Sequence, residues 1–245
     1  DIGARRLIER GEADIAIVQN DVMYYAANGT DLFAGEKVEG FSAMAGCYAE
    51  VVQIVCKSDI TSIDQLKGKR VSVGDVGSGC EFNAWQIFDA YGITKDDIDV
   101  HNLSFADSAT ALKDDKIDAF YCVAGAPTTA VVELATSNNI NLLEVDDEHA
   151  AILMEKYPFY TQYAVPADSY KGVTEDVMTV AVVATYIVSD KLGDDLVYKM
   201  TKALFDNSKQ IADAHPKGKE LDPAYSLGSI SVKLHPGAEK FYKEA

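Results

Sequence analysis

Residues 71–81 read Val71-Ser72-Val73-Gly74-Asp75-Val76-Gly77-Ser78-Gly79-Cys80-Glu81, an apolar strand running into a loop with three glycines and then directly into a helix. Glycine lets backbone approach a bound group closely, and the first N–H groups of a helix have no partner within it. Together with the positive end of the helix dipole they form a site for a carboxylate or other anion. Ser78 and Glu81 also stand at capping-box spacing, so the alternative is a helix start in which Ser78 is only a cap and Glu81 occupies an amide that a ligand would need. The order Gly-x-x-Gly-x-Gly is permuted relative to the dinucleotide fingerprint, and no GK[ST] follows, which argues against a nucleotide. Nor do the glycines flank Ser78 two positions away on each side, as a nucleophile elbow requires.

Outward from this stretch the chain alternates strands and helices. Ser62 to Lys67 reads as a short helix closed by Gly68, and Arg70 to Gly74 as a strand. The helix from about Cys80 ends at Tyr91-Gly92 and carries Phe82, Trp85 and Phe88 at helical spacing. A helix over Phe105 to Asp114 has Ser104 placed to cap it. Ile117 to Val123, Asn141 to Val145 and Thr179 to Val188 read as strands, the last as the longest. Pro127 to Ser137 and Asp194 to about Ala214 read as helical, and Pro236 opens a C-terminal helix at its favoured first position. Towards the start, Asp1 to Arg10 reads as the end of a helix with Gly11 as C-cap, Asp14 to Val18 as a strand, and Phe41 to Lys57 as strand-like, most clearly at Val51 to Val55. This alternation predicts an α/β fold with parallel sheets. Ala13 to Gln19 and Ile117 to Val123 echo each other, each with an aspartate before an apolar strand that runs into small or polar residues. They read either as two αβ units with similar turns or as corresponding parts of two lobes, whose ligand would lie beyond the carboxyl ends of the strands.

Composition narrows the class. The chain has 245 residues, 48% apolar and 25% charged, with a formal net charge of -17. That balance argues against nucleic acid or an anionic membrane surface as partner. No segment reaches the roughly 18 apolar residues of a membrane span; Val180 to Val188 is interrupted by Thr185. The opening Asp1-Ile2-Gly3-Ala4-Arg5-Arg6 lacks a signal-peptide pattern, so a mature or truncated form is expected. Cys47, Cys56, Cys80 and Cys122 are widely spaced, as are His101, His149, His215 and His235. Neither a metal site nor a disulfide scaffold is expected, and no cofactor. The cysteines read as small buried thiols.

The run Arg10-Gly11-Glu12-Ala13-Asp14-Ile15-Ala16-Ile17-Val18-Gln19-Asn20-Asp21 resembles the TAXI-type solute receptors of TRAP transporters. So do Leu66 to Gly74 with the following Gly77-Ser78-Gly79, Gly125-Ala126-Pro127-Thr128, Tyr157 to Tyr160, Val165 to Tyr170, and Leu234-His235-Pro236-Gly237-Ala238. These landmarks occur in the family's order along almost the whole chain. The resemblance implies a two-lobed type II periplasmic-binding-protein fold: residues 1–53 and 182–245 in the first lobe, 54–181 in the second, joined by crossing hinge strands. It also implies a strand and a Gly-rich, Tyr-containing loop ahead of the point where this sequence begins. The function implied is a non-enzymatic, monomeric, extracytoplasmic receptor in the periplasm or at the cell surface, with lipid anchoring as one means of retention. It would capture a small carboxylate or a glutamate-like amino acid and deliver it to a TRAP membrane permease. An enzyme on the same fold and a surface antigen or adhesin are the alternatives.

The ligand-binding residues expected are Gln19, Asp21, Tyr48, Glu50, Ser78, Gly79, Cys80, Gly125, Pro127 and Thr128. Gln19 would hydrogen-bond a polar ligand group, the alternative for Gln19 and Asp21 being a solvated turn. Glu50 would receive an ammonium group or else form an internal salt bridge. Ser78, Gly79 and Cys80 would hold the carboxylate. Gly125, Pro127 and Thr128 would begin a matching helix whose amides or hydroxyl assist, the alternative being ordinary helix initiation.

Overall fold

Two long strands organise the chain. In the computed structural model, which describes residues 8–245, β2 (Phe41–Lys57) and β8 (Val177–Ser189) are the longest strands. Phe41 to Cys56 is buried apart from half-buried Tyr48 and Glu50. A strand buried on both faces shows no alternation, so its run of Val51, Val52, Ile54 and Val55 marks it only in part. The strand read as longest from sequence, Thr179 to Val188, is shorter than β2. The chain divides into two compact units, residues 1–49 with 182–245, and residues 50–181.

In the first unit, Ile8 to Arg10 are helical and end at Gly11, whose N–H returns to the Ile8 carbonyl at 2.9 Å. The remainder of the helix expected over Asp1 to Arg10 lies outside the described residues. β1 (Ile15–Gln19) pairs antiparallel with β8, Ile15 opposite Val188 and Gln19 opposite Ala184. It passes directly into α1 (Asn20–Asn28), so the turn expected at Gln19-Asn20-Asp21 is instead a helix start with all three residues buried. The C-terminal helices α6 (Asp194–Asp206), α7 (Ser208–Ala214), α8 (Pro223–Gly228) and α9 (Pro236–Glu244) complete this unit. Its core joins Met44, Ala45, Val188, Val197, Phe205, Ala238 and Phe241, with the Phe205 and Phe241 rings stacked at 5.3 Å. Ala43 makes a parallel bridge to Leu234.

In the second unit, β3 (Arg70–Ser72) lies parallel to β4 (Asp99–His101) and to β5 (Ala119–Ala124). β2 pairs antiparallel with β5, Val51 opposite Ala124, and with β6 (Ile140–Leu143). β7 (Thr161–Val165) pairs antiparallel with β8. The helices are α2 (Gly79–Ala90), α3 (Phe105–Lys113), α4 (Thr129–Ser137) and α5 (Asp147–Lys156). Ser104 caps α3 by accepting the Asp107 N–H at 3.1 Å, as its position predicts. The expectation of parallel sheets is corrected: the strands follow one path, β1-β8-β2-β5-β3-β4, of mixed sense. β2 is antiparallel to β5 and β6, and β8 to β1 and β7, whereas β3 is parallel to β4 and β5. Among the described residues no helix is long and apolar enough to cross a membrane.

An ion network ties the opposite ends of these strands. Asp118 accepts the backbone N–H of Arg70 at 3.0 Å, its Nε at 3.0 Å and Nη2 at 2.8 Å, and Lys57 Nζ at 2.7 Å. β2, β3 and the entry to β5 are thereby joined through one carboxylate. The arginine and lysine hydrogen bonds hold that carboxyl well below its usual range against the opposing effect of burial.

Candidate functional site

The loop after β3 is shaped by its first glycine. Gly74 has φ 97°, a region that side chains rarely adopt, and a Cβ there would meet Cys80 Cβ and Sγ at 3.0 Å and Ser78 Oγ at 3.2 Å. The chain therefore folds tightly back against the first turn of α2. Asn102 Nδ2 closes the loop by donating to the Gly74 carbonyl at 2.9 Å and to Glu81 Oε1 at 3.1 Å.

Three backbone donors around this turn have partners within it. Ser78 is the N-cap of α2, its hydroxyl accepting the Glu81 N–H at 3.1 Å, and its own N–H goes to the Asp75 carbonyl at 3.0 Å. The Glu81 carboxylate takes the Gly77 N–H at 2.7 Å, so the reciprocal half of a capping box is displaced by one residue. Ser78 is accordingly committed to capping as far as its amide and its acceptor are concerned. Gly79 and Cys80 are buried, and their N–H groups make no hydrogen bond among the described residues. These two amides are open donors in the first turn of α2, at the positive end of a twelve-residue helix.

The second predicted helix start lies at the same end of the neighbouring strand. β3 and β5 are parallel neighbours, so the loops after them, and α2 and α4 beyond, share the carboxyl edge. Ala126-Pro127 is a cis peptide. Thr128 precedes α4, and its hydroxyl donates to the Gly125 carbonyl at 3.0 Å while accepting from Gln53 Nε2 at 3.0 Å. Its N–H donates to the Tyr170 hydroxyl at 2.8 Å, and that hydroxyl in turn donates to Gln53 Oε1. The Thr128 hydroxyl and amide therefore build the loop itself. Open donors in this turn are the N–H groups of Thr129 and Ala130, which have no hydrogen bond among the described residues. Gln53 and Tyr170 were not legible as site-building residues from sequence.

Glu50 stands one residue before the Val51–Ala124 pair, which puts it beside Gly125 at this same edge. Its charge, with burial as the larger cause, helps to push the Cys122 thiol up to about 12 and the Cys80 thiol well above its ordinary range. Cys80 Sγ donates to the Tyr121 carbonyl at 3.4 Å, and Cys122 Sγ reaches Thr128 Oγ1 at 3.8 Å. All four cysteines are buried thiols, as the spacing predicts. Glu50, Ser78, Gly79, Cys80, Gly125, Pro127 and Thr128 thus gather at one edge of the second unit.

Gln19, Asp21 and Tyr48 belong to the first unit. Gln19 and Asp21 are buried, which corrects the solvated-turn alternative, and Asp21 Oδ1 accepts the Val22 N–H at 2.8 Å within the first turn of α1. Asn20 between them organises the turn. Its Oδ1 accepts the N–H groups of Asp21 and Val183, each at 3.0 Å, and its Nδ2 donates to the Ser229 carbonyl at 3.4 Å. Among the described residues no cluster of three or more His, Cys, Asp or Glu side chains is arranged to hold a metal ion.

Solved structures with a similar fold include the periplasmic aliphatic sulphonate binding protein SsuA from Escherichia coli, with a TM-score of 0.54 and 13% identity, covering 98% of this chain and 68% of that one. The alkanesulfonate-binding SsuA from Xanthomonas axonopodis pv. citri, bound to MOPS, matches with a TM-score of 0.50 and 12% identity over 98% of this chain and 68% of that one. The GluR0 ligand binding core in complex with L-glutamate matches with a TM-score of 0.50 and 12% identity over 89% of this chain and 76% of that one. These likenesses identify the mixed α/β, two-lobed architecture as that of the periplasmic binding proteins. A family model matches residues 4–245, essentially the entire sequence, and the chain belongs to the NMT1-like family.

Proposed function

We propose that this chain is an extracytoplasmic solute receptor that captures a small carboxylate or glutamate-like amino acid for a TRAP-type permease. The observation that carries the reading is the pair of open amides on Gly79 and Cys80, buried at the carboxyl edge of β3, with those of Thr129 and Ala130 at the same edge after β5. Such groups bind an anion without a counter-charged side chain. The choice of a TRAP permease rests on the sequence landmarks from Arg10 to Ala238, and the periplasmic or cell-surface location follows from it. A sulfonate is the second reading, favoured by the SsuA proteins, whose ligand presents the same anionic oxygens.

The receptor releases its ligand chemically unchanged. Burial keeps the Cys80 thiol protonated near neutral pH, which removes the thiolate that a cysteine enzyme needs. Tyr91, Asp146 and His149 do form a hydrogen-bonded group, yet Asp146 serves as the N-cap of α5 by accepting the His149 N–H at 3.0 Å.

Gly79→Pro separates an anion site from a simple helix start. Gly79 is the first residue of α2, where proline is tolerated, and Ser78 before it is already extended at φ -79°, ψ 156°. The variant should remove one donor while keeping the helix, which circular dichroism checks. Wild-type protein saturated at about 100 times its dissociation constant should gain roughly 2.7 kcal/mol of stability, seen as a raised melting temperature. Titration calorimetry with L-glutamate and with methanesulfonate should show binding weakened about tenfold or more in Gly79→Pro, the loss of one hydrogen bond to a charged group. Equal affinity in the well-folded variant would leave the motif as a cap alone. Binding of methanesulfonate but not L-glutamate would replace the carboxylate reading with the sulfonate one.

A further inference from the structure

An ion pair between a buried lysine and a half-buried glutamate in the first unit is attached to the backbone of β2 at its last residue in that unit. Lys217 and Glu220 lie on the 3-10 turn Pro216–Glu220, capped by His215, whose Nδ1 accepts the Lys217 N–H at 3.2 Å. The Lys217 side chain is only 7% exposed, and lysine is rarely buried to that extent. Its Nζ donates to Glu220 Oε1 at 2.6 Å, while Glu220 Oε2 accepts the N–H of Ala49 at 2.7 Å. A strand amide that would otherwise need a neighbouring strand is satisfied by a carboxylate, and that carboxylate is oriented by the buried lysine.

Ala49 is the last residue of β2 in the first unit. The residues on either side of it, Tyr48 and Glu50, are the half-buried positions in the otherwise buried stretch from Phe41 to Cys56. Two apart in a strand, they face the same way, and their direction is set by the peptide plane between them. We infer that Lys217 and Glu220 are positioning residues: the pair fixes the Ala49 peptide and so aims the Glu50 side chain, the next along the strand, at the solute. The inference rests on the receptor reading given above.

Two measurements on the full chain test it. Hydrogen exchange of the ligand-free protein should show the Ala49 amide protected in wild type and in Glu220→Gln, which keeps an acceptor, and exchanging about tenfold faster in Glu220→Ala. Calorimetry with L-glutamate and methanesulfonate should show about tenfold weaker binding in Glu220→Ala, with most of the loss restored in Glu220→Gln. The double variant Lys217→Met/Glu220→Ala removes the buried charge along with its partner; it should fold and bind as weakly as Glu220→Ala. Wild-type affinity in Glu220→Ala or in the folded double variant overturns the inference while leaving the receptor intact. Unchanged exchange at Ala49 in Glu220→Ala overturns it as well. Wild-type protein that binds neither probe overturns the receptor reading, and the positioning role falls with it.

Discussion

Gly237→Ala should destabilise the protein by about 3 kcal/mol, because the added methyl has no room. A Cβ at this position would lie 2.2 Å from the Asp194 carbonyl oxygen and 2.8 Å from the Tyr198 backbone nitrogen. Both atoms are backbone of α6, so neither can swing away as a side chain would. The two helices would have to separate, loosening the core around Val197, Phe205, Ala238 and Phe241. Alanine gains at most about 1 kcal/mol over glycine in helix propensity, which falls short of offsetting the overlap. For a chain of this size the loss corresponds to a melting temperature lower by about 6 to 12 °C. Gly228→Ala is the matched control: a Cβ there meets nothing within 4 Å, and its stability should stay level or rise slightly. Thermal and urea denaturation read both. A Gly237→Ala midpoint equal to wild type would show that α6 and α9 do not pack backbone to backbone.

Asp118→Ala is expected to cost about 2 kcal/mol at neutral pH. The substitution removes the acceptor for the Arg70 backbone and guanidinium and for Lys57, in a side chain only 13% exposed. Asp115, 78% exposed, also pairs with Lys57, yet solvent screens it, and Asp115→Ala should leave stability nearly unchanged. The pH dependence has a definite sign. The folded Asp118 carboxyl titrates below its unfolded value of about 3.9, so its contribution is complete above that value. It is lost as pH falls through the folded value, because the unfolded chain binds the proton first. Urea midpoints between pH 7 and pH 3 should therefore differ between wild type and Asp118→Ala by a constant amount down to about pH 4, and the gap should begin to narrow below it. A gap that widens on acidification would contradict the network described here.

Several elements were missed in the sequence for identifiable physical reasons. α1 went unread because Gln19-Asn20-Asp21 looks like a turn, although Asn and Asp are equally at home at a helix start. α5 is polar at both ends and only weakly amphipathic, leaving Asp146 as its cap to announce it. β4 and β7 are short and largely solvent-facing, without an apolar run. β2, by contrast, was read as strand-like over its whole range from Phe41 to Lys57, most clearly at Val51 to Val55, although its burial leaves no alternation to follow. The parallel sheet expected from strand–helix alternation is confined to β3, β4 and β5, because β2 and β8 enter the sheet antiparallel to partners that no local spacing announces.

What the sequence determined by itself is the chemistry that acts within a few residues. Ser78 and Ser104 cap their helices, Pro236 opens α9, and the cysteines at 47, 56, 80 and 122 are buried thiols, each set by local spacing or by residue type. Tertiary structure alone decided the donors of the turn after β5, where Tyr170 takes the Thr128 amide from 42 positions away and leaves those of Thr129 and Ala130 open. It also decided that Glu220 reaches Ala49 across 171 positions of chain and that Gly237 lies on the backbone of α6. A capping residue finds its partner within one turn, whereas a buried amide is satisfied by whatever the packed chain brings to it, and no periodicity or spacing records that partner in advance.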